Sequence, residues 1–123
     1  MARDGASRRK AERAGRRGEQ LAAWYLRLKG YRILGRNMRT PLGEIDLVIR
    51  RGSTLVFVEV KRRRGTIDPR AVVGARQRDR VSRAAGYLLS NGRLGADAQS
   101  FRFDVIVLTS GKWPIHLQDA WRP

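Results

Sequence analysis

Apolar and polar positions alternate with a period of two through the middle of the chain, and follow a helical period on either side of it. In Glu44–Arg50, Ile45, Leu47 and Ile49 alternate with Glu44, Asp46, Val48 and Arg50, the pattern of a half-buried strand. Arg51-Gly52-Ser53 interrupts it. Leu55–Lys61 then carries Leu55, Phe57, Glu59 and Lys61 on one face and Val56, Val58 and Val60 on the other. So short a loop predicts an antiparallel hairpin. With Arg50 opposite Leu55, Asp46 falls opposite Glu59 and Glu44 opposite Lys61. A one-residue slip would send the two acids to different faces.

Before the hairpin, a helix is predicted from Gly18 to Lys29, closed by Gly30 as the residue after its C-cap. Leu21, Trp24, Tyr25 and Leu28 fall at i, i+3, i+4 and i+7 and are expected to form its core stripe. Glu19 lies off that stripe and stacks with Ala22, Ala23 and Leu26, an apolar flank that would turn it inward at one edge. Tyr31–Arg39 is expected as a strand, and Thr40-Pro41-Leu42-Gly43 as a turn into the hairpin. After the hairpin, Asp68 and Pro69 suit a helix start. The second helix begins between Pro69 and Ala75 and ends at Ser90-Asn91-Gly92, with Gln77, Val81, Ala84, Ala85 and Leu88 on one face. A glutamine on that stripe needs a hydrogen-bond partner. Phe101–Leu108 reads as a strand and Trp113–Leu117 as a short last one. The order is αβββαββ: an α/β fold with a mixed central sheet and a helix on each side. One domain, 18–123, follows a basic arm, 1–17.

Charge then narrows the partner. In 123 residues there are 27 Lys and Arg against 11 Asp and Glu, a net charge of +16 that points to a polyanion. Most of the excess is Arg, whose planar fork suits phosphate. Nucleic acid is the first expectation, DNA above RNA or a ribosome surface. Arg3, Arg8, Arg9, Lys10, Arg13, Arg16 and Arg17 make the arm either a phosphate-contacting segment or a solubilising tail. The absence of cysteine excludes disulfides, thiolate metal sites and cysteine nucleophiles, and a single histidine, His116, excludes a multi-histidine centre. No apolar run approaches the ~20 residues that cross a bilayer. A cytoplasmic protein with no membrane partner is expected. No P-loop or dinucleotide glycine pattern is present.

Candidate chemistry centres on Asp46, Glu59 and Lys61. A Glu-x-Lys pair alone also marks a salt-bridged, solvated strand face. Here it interrupts Leu55, Val56, Phe57, Val58 and Val60, where charge is costly unless paired or bound to an ion. Two converging carboxylates offer oxygen-only ligation, suited to Mg²⁺ or Mn²⁺. Arg62, Arg63 and Arg64 extend the hairpin into a basic loop. They, together with Arg36, Arg39, Arg50 and Arg76, are candidate phosphate contacts. Arg78, Arg80 and Arg83 give the second helix a cationic outer side. Asp104, among apolar residues, is expected to partner a buried arginine rather than join the metal site, and His116 is expected to be structural.

Asp46 followed thirteen residues on by Glu59-Val60-Lys61 resembles the metal-binding signature of the PD-(D/E)XK nuclease superfamily. RRGEQLAAWYLRLKGYRILGRNMRT, GEIDLV, FVEVK, RQRDRV and RFDVIVL together resemble the YraN-like family of small bacterial proteins, from about Gly15 to Trp121. The chain is also similar to archaeal Holliday-junction resolvases. The resemblance implies a restriction-endonuclease-like fold and a metal-dependent endonuclease acting on DNA, with branched or flapped substrates and a homodimer where two strands are cut. It implies that Asp46, Glu59 and the Val60 carbonyl hold the ion, that Glu19 supports a second ion or a water, and that Lys61 serves the attacking water. Gln77 would sit near the metal. The family's Lys-Gln pair appears here as Arg76-Gln77, which assigns Arg76 to phosphate. The rival reading is a non-catalytic binder of DNA, RNA or the ribosome that keeps the fold. Asp46 and Glu59 discriminate, because without a metal they repel phosphate.

Overall fold

The computed structural model describes residues 18–65, 67–92 and 94–123; the basic arm 1–17 lies outside them. Helix α1 occupies residues 18–28. Strands β1 (Arg32–Thr40), β2 (Gly43–Arg51) and β3 (Thr54–Arg62) follow as a meander. A single 3₁₀ turn, Pro69–Ala71, leads to α2 (Ala75–Ser90), then β4 (Ser100–Leu108) and β5 (Ile115–Trp121). Asp68 caps the 3₁₀ turn by accepting the Arg70 amide at 3.0 Å, rather than capping α2 itself.

The strands form one five-stranded sheet in the order β1-β2-β3-β4-β5. All neighbours are antiparallel except β3 and β4, which are parallel and therefore need the α2 crossover between them. The expected αβββαββ order and mixed sheet are those observed. Arg50 pairs with Leu55, the register expected from the hairpin.

Both faces of the sheet are covered. On one, Val81, Ala84, Ala85 and Leu88 of α2 pack on Leu55, Phe57, Phe103, Val105 and Val107. Phe103 stacks between Phe57 and Trp121, at centroid separations of 5.4 and 5.1 Å. On the other face, Ala22, Ala23 and Leu26 of α1 cover Leu47, Ile49, Val56, Val58 and Ile106.

Three expectations are corrected. The buried stripe of α1 is Ala22, Ala23 and Leu26, whereas Leu21, Trp24 and Leu28 are exposed. The small residues let the helix lie close on a sheet already filled by β-branched side chains, and Glu19 leads straight into that buried stripe. In β2, Ile45 joins Val48 in the α2-side core while Leu47 and Ile49 face α1, so the alternation slips at Asp46. β5 starts at Ile115 rather than Trp113, after Pro114, which has no amide to give a ladder, and runs on to Trp121. It bulges near Asp119, whose φ of 55° lies in the left-handed region that Asp tolerates.

Candidate metal and nucleic-acid site

The β2–β3 ladder runs from Arg51↔Thr54 to Leu47↔Val58 and stops there, short of the expected Asp46–Glu59 and Glu44–Lys61 pairs. Where the strands part, the two acids interlock through the main chain. Asp46 Oδ2 accepts the Val60 amide at 2.8 Å, and the Asp46 amide donates to the Glu59 carboxylate. Glu59 lies on the α2 face, 3% exposed, and its Oε2 accepts Gln77 Nε2 at 2.7 Å. This is the partner that a glutamine on the apolar stripe requires. Lys61 Nζ stands 3.9 Å from the same oxygen. A cleft of about 300 Å³ opens here, lined by Gly43, Glu44, Asp46, Glu59, Gln77, Arg80 and Val81. A larger cavity, about 480 Å³, lies by Thr54 and Trp121, and its acid Asp119 is already paired with Arg122 at 2.9 Å.

Electrostatics set this cleft apart. Burial pushes the Glu59 carboxyl up from its ordinary 4.5 to about 8, and the Asp46 charge adds to the rise against the relief from Lys61 and Gln77. Burial also raises Asp46, opposed by the Val60 amide and Lys61. Glu19 is raised by burial and by the charges of Asp46 and Glu44, although Asn37 donates a hydrogen bond to it. The third buried acid behaves in the opposite way. Burial would lift Asp104, but His116, Arg102 and the Asp119 amide hold it below its ordinary value. Among the described residues no guanidinium grips Asp46 or Glu59, whereas Arg102 clasps Asp104 with two bonds of 2.8 and 2.9 Å.

This donor set fits a hard cation. Among the described residues no three acidic or imidazole groups close around one point. An ion held by Asp46 and Glu59 would therefore complete its shell with main-chain oxygen, water and substrate phosphate, as Mg²⁺ commonly does. Glu19 faces Asp46 electrostatically from α1 through the Asn37 bond rather than joining the pair.

The basic residues divide. Arg76 is exposed in the first turn of α2, and Arg36 is exposed near Glu19. Arg62 lies against Gly18, where an added Cβ would meet its Cδ at 3.5 Å. Arg63 donates its amide to the Leu108 carbonyl at 3.0 Å, fixing the start of the basic loop, and Arg64 is exposed. Arg39 pairs loosely with Glu44 at 3.8 Å, so Glu44 is turned to Arg39 rather than to Lys61. Arg50 lies at the opposite end of β2 and binds Asp97 at 2.7 Å, which removes it from this site. Arg80, expected on the outer side of α2, instead lines the cleft. Its place one turn beyond Gln77 on the helix is the signal that could have found it.

Glu59→Gln is expected to flatten the alkaline limb of stability. Because the folded carboxyl titrates near 8, its stabilising proton is fully held below about pH 4.5 and is lost as pH rises through 8. At pH 9 the metal-free variant should exceed the parent by on the order of 3 kcal/mol, and the two should converge near pH 5. Urea melts at both values check this; parallel curves at pH 9 would sink it.

A mixed five-stranded sheet between two helices, with an interlocked acid pair where the hairpin opens, defines a restriction-endonuclease-like α/β domain. Residues 18–108 match the uncharacterised protein family UPF0102, and the chain belongs to that YraN-like family. A UPF0102 protein of Mesorhizobium japonicum is 47% identical over 123 residues, covering 97% of this chain and 94% of its own. One of Parvibaculum lavamentivorans is 50% identical over 114 residues, covering 92% and 84%. One of Caulobacter vibrioides is 47% identical over 111 residues, covering 90% and 88%. Among the described residues no helix is long and apolar enough to cross a membrane.

Proposed function

We propose that this protein is a metal-dependent endonuclease acting on DNA, with branched or flapped molecules as its substrates. The observation that carries the reading is the contrast between buried acids. Asp104 is neutralised in place, while burial raises both Asp46 and Glu59, and the Asp46 charge lifts Glu59 further, in an open cleft of a chain bearing +16. A binder of phosphate gains nothing from such a pair. Asp46, Glu59 and the Val60 carbonyl would hold Mg²⁺ or Mn²⁺, which supplies charge neutralisation at the scissile phosphate and a more acidic water.

The chain's own groups do the rest. Gln77 and the Asp46 amide together orient the Glu59 carboxylate beside the cleft. Lys61 offers its ammonium to the attacking water and to the charge that develops on phosphorus-bound oxygen. Glu19, held by Asn37, orders water on the α1 side. Arg36, Arg62, Arg63, Arg64, Arg76 and Arg80 hold the backbone, with Arg39 at the rim.

The test is cleavage of labelled four-way junctions, flaps, single strands, duplex and RNA in Mg²⁺ and in Mn²⁺. Lys61→Ala is expected to slow cutting by about 10²–10³-fold while leaving substrate affinity within a few-fold. Tight binding with no cutting of any substrate by the parent would leave the fold as a nucleic-acid binder and end the catalytic reading.

A further inference from the structure

The stripe expected in the core of α1 faces solvent. Leu21, Trp24 and Leu28 are 45, 48 and 63% exposed, and Trp113, from the loop before β5, is 70% exposed. Apolar area of this kind marks an interaction surface. Its make-up is aromatic. The Trp113 ring leans on Tyr25 at a centroid distance of 6.4 Å and a 44° tilt. Beneath it, Lys29 Nζ lies 5.4 Å from the centre of the Tyr25 ring.

Lys29 is itself pinned. Its Nζ donates to His116 Nδ1 at 2.6 Å, and His116 Nε2 donates to the buried Asp104 at 2.7 Å. The Tyr25 ring on which Trp113 leans is thus backed by a cation tied to the core.

Charge identifies the occupant. No Asp or Glu occurs from Gln20 to Gly43 or from Val105 to Gln118, the two segments that build this face, while Arg27, Lys29 and Lys112 lie within them. A second copy would bring another +16 against the same cations. We propose that Trp113 on Tyr25, with Trp24 on the same helix, is a stacking platform for unpaired bases of a nucleic-acid strand. Aromatic faces among cations bind single strands with little regard to sequence.

The proposal deepens the nuclease reading and rests on it for the substrate's shape. Tyr25 stands roughly 9 Å along the helix from Glu19 at 1.5 Å per residue, and Glu19 faces Asp46. That is two to three base steps at about 3.4 Å each. A strand stacked here would meet the cleft within a few nucleotides of the point where it leaves the duplex.

The experiment measures binding of labelled single strand, short-tailed flap and blunt duplex to the parent, Trp113→Ala and Trp113→Phe across a salt series, without divalent metal. Trp113→Ala is expected to weaken single-strand and flap binding by about 5- to 100-fold, with duplex binding held and the salt slope unchanged, since stacking releases no counterions. Trp113→Phe should recover most of the loss, which separates stacking from misfolding. Equal affinities for parent and Trp113→Ala, a loss shared by duplex, or a loss confined to self-association in sedimentation would each overturn the platform. Cleavage that survives those outcomes would leave the nuclease standing. Conversely, Trp113-dependent binding without cleavage would keep the platform and end the nuclease reading.

Discussion

Asp46→Asn is expected to abolish metal-dependent cleavage, by at least about 10³-fold, in a protein that melts no lower than the parent. The two halves of this expectation come from one geometry. The asparagine oxygen can still accept the Val60 amide, so the bond that ties β2 to β3 beyond the end of their ladder survives. The negative charge does not survive, and burial makes that charge a cost to the empty fold. Losing one of two carboxylates should cost about 4 kcal/mol of transition-state stabilisation, which is three orders of magnitude in rate. Mn²⁺ titration by calorimetry should show the same loss without DNA. Paired thermal melts and single-turnover cleavage decide the matter: an Asp46→Asn protein that cuts like the parent would place the chemistry elsewhere. One that loses activity only because it unfolds would remove the claim that Asp46 works against stability.

The hairpin and its acids were legible in the sequence because a two-residue period and a short loop leave few registers, and Arg50 opposite Leu55 is the one that formed. Gln77 was legible for a related reason, since an amide on an apolar helical stripe must find a partner, and Glu59 is that partner. The face of α1 was not. Two apolar stripes compete on that helix, and hydrophobic bulk favours Leu21, Trp24, Tyr25 and Leu28. What decides is how closely the helix must approach the sheet, and that selects Ala22 and Ala23. The same choice turns Glu19 inward to Asn37, the direction that its stacking with Ala22, Ala23 and Leu26 already indicated. Nor could the ladder's end be read. Alternation carried past Asp46 predicts further pairs, whereas the strands part and a side chain replaces the missing carbonyl. The Lys29–His116 bond spans 87 positions and joins the turn after α1 to β5, leaving no local trace in either segment.

Asp104→Ala is the substitution from which the largest loss of stability is expected, on the order of 3–5 kcal/mol, because it removes one partner from a buried cluster and strands the others. Asp104 is fully buried. It accepts both bonds from Arg102, one from His116 at 2.7 Å and one from the Asp119 amide at 3.0 Å. Arg102 continues to the Tyr31 hydroxyl at 2.6 Å, so the cluster joins β4, β5 and the chain that follows α1. For a domain of this size the loss corresponds to a fall in Tm of roughly 10–25 °C. The sign with pH is the reverse of that for Glu59. Asp104 is held below its ordinary 3.8, so its contribution is complete above that value and is lost as the pH falls through the lower folded one. The parent should therefore show an acid limb of unfolding that Asp104→Ala lacks, and Arg102→Ala combined with Asp104→Ala should cost well below the sum of the two. A loss under ~1 kcal/mol, or full additivity, would mean that this cluster is a solvated pairing. It could not then be what fixes Lys29 beneath the aromatic face of α1.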